Sequence, residues 1–216
     1  WLDDTDMRKV LATAQELDVP LILHPYYVGP RPGLEDFYLT NLLGNPVEST
    51  ISAARLVLGG VLDELTELSL LLMHGGGFLP YQIGRLDHGY RVRPEAQGCK
   101  QAPSTYLGRF FYDTVTHASQ PLRFLAEMVG SRNVLFGTDY PFDMAAGPLA
   151  DQLSGVGLDQ GSVEDIAGGN ATRLFKVGVP DASGRVLPVR SADMCCRRFA
   201  WWSPTRCFLT LMSHLV

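Results

Sequence analysis

Short apolar runs alternate with amphipathic stretches along most of this chain, and that alternation restricts the fold more than any other feature. Leu21-Ile22-Leu23, Leu68 to Met73 and Val134-Leu135-Phe136 are apolar runs, and Arg109 to Val115 is a fourth strand-like segment rich in aromatic residues. Strands apolar on both faces belong in a parallel sheet that is covered by helices. The intervening stretches have the helical period. Asp3 to Asp18 places Met7, Val10, Leu11, Ala14 and Leu17 on one face. A second helix is expected to start at Asn45 as its cap, with Pro46 in the first turn and Glu48 completing a capping box. Its inward face reads as Val47, Ile51, Ala54, Leu58, Val61, Leu62 and Leu65. Ser119 and Pro121 open a helix through Val129, and a last one runs from about Ser162 to about Lys176 with Glu164 and Asp165 in its first turn. The pattern predicts an α/β fold, and pattern alone leaves barrel and open sheet equally available.

Composition narrows the function classes. The 216 residues are 46% apolar and 19% charged, in keeping with a globular chain, and the formal charge is −5. No basic field suggests nucleic acid as a partner. No run approaches the ~20 apolar residues of a membrane span, and the Trp-Leu-Asp-Asp start has no signal-peptide character. Cys99 stands apart from Cys195, Cys196 and Cys207, no C-x-x-C pair occurs, and a reduced cytoplasmic setting is expected. After about Ala182 the chain changes. Five arginines, one acid, three cysteines and the pair Trp201-Trp202 follow with no clear period. Residues 1–181 are read as one domain portion and 182–216 as a non-native or disordered tail that carries no site.

The chemistry-bearing residues cluster by position. His24, His74 and Asp139 each sit where an apolar strand ends, and strand carboxyl ends gather functional groups in both barrels and open sheets. Imidazole nitrogen with carboxylate oxygen suits zinc, and a catalytic zinc keeps one position open for water. Any one of the three alone reads as an ordinary strand-end polar residue; the trio at equivalent places favours a shared site. His74-Gly75-Gly76-Gly77 has the form of a hydrolase oxyanion element, but no G-x-S-x-G elbow follows it. The glycines then read as a close approach of the loop to a ligand or to neighbouring backbone. Arg85 has the planar fork that grips a carboxylate, and a surface ion pair with Asp87 is an equally good reading. Arg91 and Arg93 read as solvated, and His88 and His117 as structural polar residues.

The segments Leu23-His24-Pro25, Met73-His74-Gly75-Gly76-Gly77, Gly84-Arg85-Leu86-Asp87-His88-Gly89 and Gly137-Thr138-Asp139-Tyr140-Pro141-Phe142 stand in a familiar order. With them, Gly169-Asn170-Ala171 and Arg173-Leu174 resemble the amidohydrolase-related (amidohydrolase 2) family typified by aminocarboxymuconate-semialdehyde decarboxylase. The resemblance covers about Asp3 to Val177. It implies a distorted (β/α)₈ barrel of the TIM type and a divalent metal, usually zinc, with manganese as a second choice. It implies His24 and Asp139 as metal ligands and His74 as the general acid/base. Arg85 corresponds to a substrate-carboxylate arginine that reaches into a neighbouring subunit, which implies a homodimer.

The family's H-x-H pair at the first barrel strand has no counterpart, since the five histidines are His24, His74, His88, His117 and His214. The four strands therefore correspond to the last four of eight, the C-terminal half of a barrel, in a chain that starts at Trp1. With ligands missing, this polypeptide alone is expected to be nearly inactive. The activity implied for its parent is decarboxylation of a small unsaturated or aromatic carboxylic acid. Hydrolysis of a lactone or amide, and a non-catalytic interaction module, are the alternatives.

Overall fold

The computed structural model describes residues 1–25 and 31–177. The tail after Ala182 and His214 lie outside them. Helix α1 (Thr5–Glu16) leads to strand β1 (Leu21–Leu23), α2 (Asn45–Leu58), the short α3 (Val61–Glu64) and β2 (Leu70–Leu72). Then come α4 (Leu79–Val92), β3 (Phe110–Asp113), α5 (Ser119–Val129), β4 (Val134–Leu135), α6 (Leu149–Leu153), α7 (Gln160–Glu164) and α8 (Asn170–Phe175). The strands lie side by side in chain order and all pair in parallel. This is a run of four parallel βα units, the α/β arrangement expected from the alternation of apolar runs and amphipathic helices.

Register explains which residues face which way. Leu21 pairs with Leu70, Leu70 with Phe110, and Tyr112 with Val134. Because side chains alternate along a strand, Leu21, Leu23, Leu70, Leu72, Phe110, Tyr112 and Val134 share one face. All of them are buried in the main core with Leu11, Leu56, Val57, Leu79 and Leu122 from the helices. Ile22, Leu71, Phe111 and Leu135 point the other way. There Leu71 and Leu135 pack with Leu174, while Ile22, Met73 and Phe111 are only half-buried. One more step along the same rows puts His24, Met73, Asp113 and Leu135 level with each other at the carboxyl end of the sheet.

Two details of α2 correct the sequence reading. Asn45 does not cap the helix: Thr40–Gly44 forms a π-helical turn that runs straight into it, and Gly44 and Asn45 both have helical dihedrals. Pro46 has no N–H for the preceding turn and its ring crowds the carbonyl there, which favours the wider π form. Glu48, freed from a capping role, pairs with Arg31 at 2.7 Å. The inward face is also rotated. Glu48, Ser49, Ser52, Ala53, Leu56 and Val57 are buried, whereas Val47, Ile51, Ala54 and Leu58 are half-buried. Small residues on the buried stripe let α2 approach the strand ends closely, and Ser49 satisfies its hydroxyl on the Asn45 carbonyl at 3.2 Å. The helix then stops at Gly59-Gly60, where Gly60 takes φ 72°, and Val61 and Leu62 are buried in α3.

The last helix begins two residues earlier than expected. The Asp159 carboxylate accepts the Ser162 N–H at 3.0 Å, and a π turn over Asp165–Gly169 joins α7 to α8. Asn170, fully buried, ties that helix to the sheet by donating to the carbonyls of Ser131 (2.8 Å) and Val134 (2.6 Å).

Candidate metal centre

Three of the four strand ends carry the site. His24 follows β1 directly, His74 lies just past β2, and Asp139 lies just past β4. Asp139 Oδ1 is 3.1 Å from His24 Nε2, and Asp139 Oδ2 is 3.7 Å from His74 Nε2. One ligand atom from each of the three lies within 4.8 Å of the others. The His24 ring meets His74 edge-on at 5.0 Å and stacks on Phe142 at 5.7 Å. The spatial expectation from sequence holds: residues 115 positions apart in the chain share one point.

Local backbone geometry aims these groups. His74 and Asp139 both occupy the left-handed region, at φ 57° and 59°, which is uncommon for residues other than glycine. The three glycines after His74 serve close packing. A Cβ on Gly76 would meet the Tyr112 ring at 2.7 Å, and one on Gly77 would meet the Pro46 carbonyl oxygen at 2.2 Å. Thr50 fastens the same loop to α2, accepting the Phe78 N–H at 2.8 Å and donating to the Pro46 carbonyl at 2.7 Å. The loop therefore approaches neighbouring backbone, as one of the two sequence readings had it.

The electrostatics suit a cation. Burial alone pushes the Asp139 carboxyl up, but the adjoining His24 and His74 rings outweigh it and hold the group well below the usual carboxylate range. The donor set is a carboxylate and two imidazoles with side chains 8%, 16% and 14% exposed. The 3.1 Å between His24 Nε2 and Asp139 Oδ1 is within the span of two ligands that each reach ~2.0–2.2 Å to a shared ion. His74 Nδ1 is buried without a hydrogen-bond partner among the described residues. An unsatisfied ring nitrogen costs about 1–3 kcal/mol, so the histidine is arranged for a further partner. The set fits a divalent metal.

A cavity of about 660 Å³ opens beside His74 and Asp139. Pro46, Phe78, Tyr81, Phe124 and Met144 give it an apolar wall, and Asn41, Asn45, Gln120 and His117 add polar groups. His117, read from sequence as structural, is exposed with φ 58° and lines this cavity. Arg85 is elsewhere. It is exposed on α4 and forms no ion pair among the described residues. The partner proposed for it, Asp87, instead accepts the Ser104 N–H at 2.8 Å. His88 is exposed on the same helix.

Sequence reasoning missed Asp113. Its carboxylate is 2% exposed at the end of β3 and accepts three backbone N–H groups, including those of His74 and Gly75. Burial pushes its carboxyl up, against the opposing pull of those donors and of His74. The signal was present: Phe110-Phe111-Tyr112 is an apolar run that ends at an acid, the same rule that selected the other three. Reading the strand through to Val115 hid it.

A family model described as amidohydrolase matches residues 1–177. The chain is 30% identical over 179 residues to the 2-amino-3-carboxymuconate-6-semialdehyde decarboxylase of Dictyostelium discoideum, a match covering 81% of this chain and 49% of that protein. It is 31% identical over 176 residues to the gamma-resorcylate decarboxylase of a Polaromonas species, covering 76% and 53%. Among solved structures, a Polaromonas dihydroxybenzoic acid decarboxylase with bound manganese and the inhibitor 2-nitroresorcinol superposes with a TM-score of 0.71 at 26% identity, covering 82% of this chain and 55% of that one. The chain spans about half the length of the curated relatives it matches. No helix among the described residues is long and apolar enough to cross a membrane.

Proposed function

The chain belongs to the amidohydrolase family, and we propose on that premise that the protein carrying it is a metal-dependent carboxy-lyase acting on a small aromatic or unsaturated carboxylic acid. The observation that carries this reading is the meeting of His24, His74 and Asp139 within 4.8 Å beside an apolar cavity. The decarboxylases among its relatives, which are named for acids of that class, support it.

His24 and Asp139 are the residues to hold a divalent ion, zinc or manganese, which when bound polarises a substrate oxygen and draws charge from the reacting carbon. Manganese in the Polaromonas structure gives no preference to zinc, and an imidazole–carboxylate pair accepts either. His74 does the proton work. Held at the cavity wall, it delivers a proton to the carbon that carries the carboxylate; the carbon–carbon bond breaks as that proton is bound, and carbon dioxide leaves. The walls formed by Phe78, Tyr81 and Phe124 take the flat face of the acid and keep water from it. Arg85 is exposed and does not line the cavity; its role in this reading is to grip a substrate carboxylate in a second subunit of a homodimer. This chain holds no H-x-H pair, so its donor set is partial and its turnover in isolation is expected to be very low.

The test is an assay of the full-length protein on the acids for which the two relatives are named, scoring released carbon dioxide against ring opening. Carbon dioxide release that falls about 10²–10⁴-fold in His74→Ala is expected. Opening of a lactone without carbon loss, or unchanged release in His74→Ala, contradicts the assignment.

A further inference from the structure

We propose that Asp113 and Thr114, adjacent at the carboxyl end of β3, are positioning residues that fix His74 and Asp139 relative to each other from the strand between them; this rests on the functional reading above.

On one side, Asp113 holds the β2 loop. Its Oδ2 accepts the His74 N–H at 3.1 Å, and its Oδ1 accepts the Gly75 N–H at 2.7 Å and the Val115 N–H at 3.1 Å. His74 and Gly75 are consecutive left-handed residues, at φ 57° and 59°, so their N–H groups turn towards a single acceptor, as in an anion-binding backbone nest. The carboxylate supplies that acceptor from within the protein, and the His74 ring is thereby directed at Asp139. Packing alone does not call for an acid here. Every other sheet residue level with or below it is apolar apart from His24, and a buried charge without such partners is costly.

On the other side, Thr114 holds the β4 loop. Thr114, 1% exposed, accepts the Gly137 N–H at 3.1 Å through Oγ1 and donates its hydroxyl to Gln152 Oε1. Gln152 Nε2 in turn donates to the Gly137 carbonyl at 2.9 Å and to the Gly147 carbonyl at 2.6 Å. Both backbone polar groups of Gly137, two residues before Asp139, are thus held through one hydroxyl and one amide. Gly137 also lies against Asp113: a Cβ there would stand 3.0 Å from Asp113 Cβ. The two loops bearing the proposed acid/base and the proposed ligand are therefore registered on one dipeptide, and a shift of either is a shift relative to the other.

The experiment is a double-mutant cycle in the full-length protein. Asp113→Asn, which keeps the volume but turns an amide towards the loop donors, is expected to lower kcat about 10–100-fold with KM within about threefold. Because it acts through His74, it should add less than about threefold in a His74→Gln background. An equal loss in both backgrounds overturns the proposal while leaving the functional reading intact; a His74→Gln protein of full activity overturns both. Thr114 supplies an arm that does not depend on turnover. Thr114→Val should weaken Mn²⁺ binding about tenfold, followed by the electron paramagnetic signal of the free ion, and Thr114→Ser should restore it to within about twofold. Unchanged affinity in Thr114→Val, or an equal loss in Thr114→Ser, overturns the role, and this arm decides the matter if Asp113→Asn does not fold.

Discussion

The two faces of the sheet are built from adjacent residues of the same strands and differ in almost every physical respect. On the helix-covered face Leu70, Leu72, Phe110, Tyr112 and Val134 are 0% exposed. On the opposite face Ile22, Met73 and Phe111 keep part of their surface, and among the described residues Leu174, Ala171 and Phe175 are laid against that side. The first face contributes stability through burial. The second carries the polar groups at its carboxyl end, where His24 and Asp113 stand one row beyond the apolar layer. The polar groups thus stand at the rim of the less covered face, the side left open in a chain that spans about half the length of the relatives it matches.

The sharpest way to break that contrast is a matched pair of truncations at neighbouring positions. Phe110→Ala should cost about 3–5 kcal/mol in urea unfolding, because it empties a site with no exposed surface. Phe111→Ala, on the half-covered face, should cost roughly 1–2 kcal/mol. Equal losses would erase the distinction between the faces. Next in size is the loop that joins the rim to α2. Gly77→Ala puts a Cβ 2.2 Å from the Pro46 carbonyl oxygen at φ 63°, which should cost roughly 2–3 kcal/mol.

A smaller effect separates the rim from the core by pH. The folded Asp139 carboxyl lies below its ordinary value, so the folded state binds that proton less readily than the unfolded chain. Its contribution is fully present above the ordinary carboxylate range, and is lost as pH falls from about 4 downwards. Urea midpoints of metal-free protein should decline with acid more steeply in the parent than in Asp139→Asn; parallel curves would show that His24 and His74 do not stabilise the carboxylate. The smallest expected change is a control on the outside of the molecule. Gly84→Ala, in the interior of α4 with nothing within 4 Å of the added Cβ, should gain about 0.5–1 kcal/mol. A loss there would mean that α4 is covered by something beyond the described residues.

Much of this architecture could be read from residue patterns because the determinants are local. The Leu21–Leu23, Leu70–Leu72 and Val134–Leu135 runs announce strands with their own apolar continuity, and Ser119–Val129 emerges with the bounds that its sequence suggests. The trio of His24, His74 and Asp139 was legible for the same reason, since each lies within four residues of the end of its strand. What escaped notice depends on tertiary contact. The buried stripe of α2 is led by Ser49, Ser52 and Ala53, whose small size matters only once Gly77 presses on Pro46. The π turn before Asn45 is a consequence of Pro46 meeting a helix that continues behind it. Asp113 ends its apolar run as the others do, but its positioning role shows only in the three N–H groups that converge on it. Arg85, singled out by pattern, stands exposed on α4 and forms no ion pair among the described residues.

The most direct test of the central claim is metal content in the full-length protein and in His24→Ala and Asp139→Ala, measured after equilibration with Mn²⁺ or Zn²⁺ and removal of free ion. Each variant should retain at most a tenth of the parent's metal at limiting concentration. Undiminished metal in both variants would contradict the account.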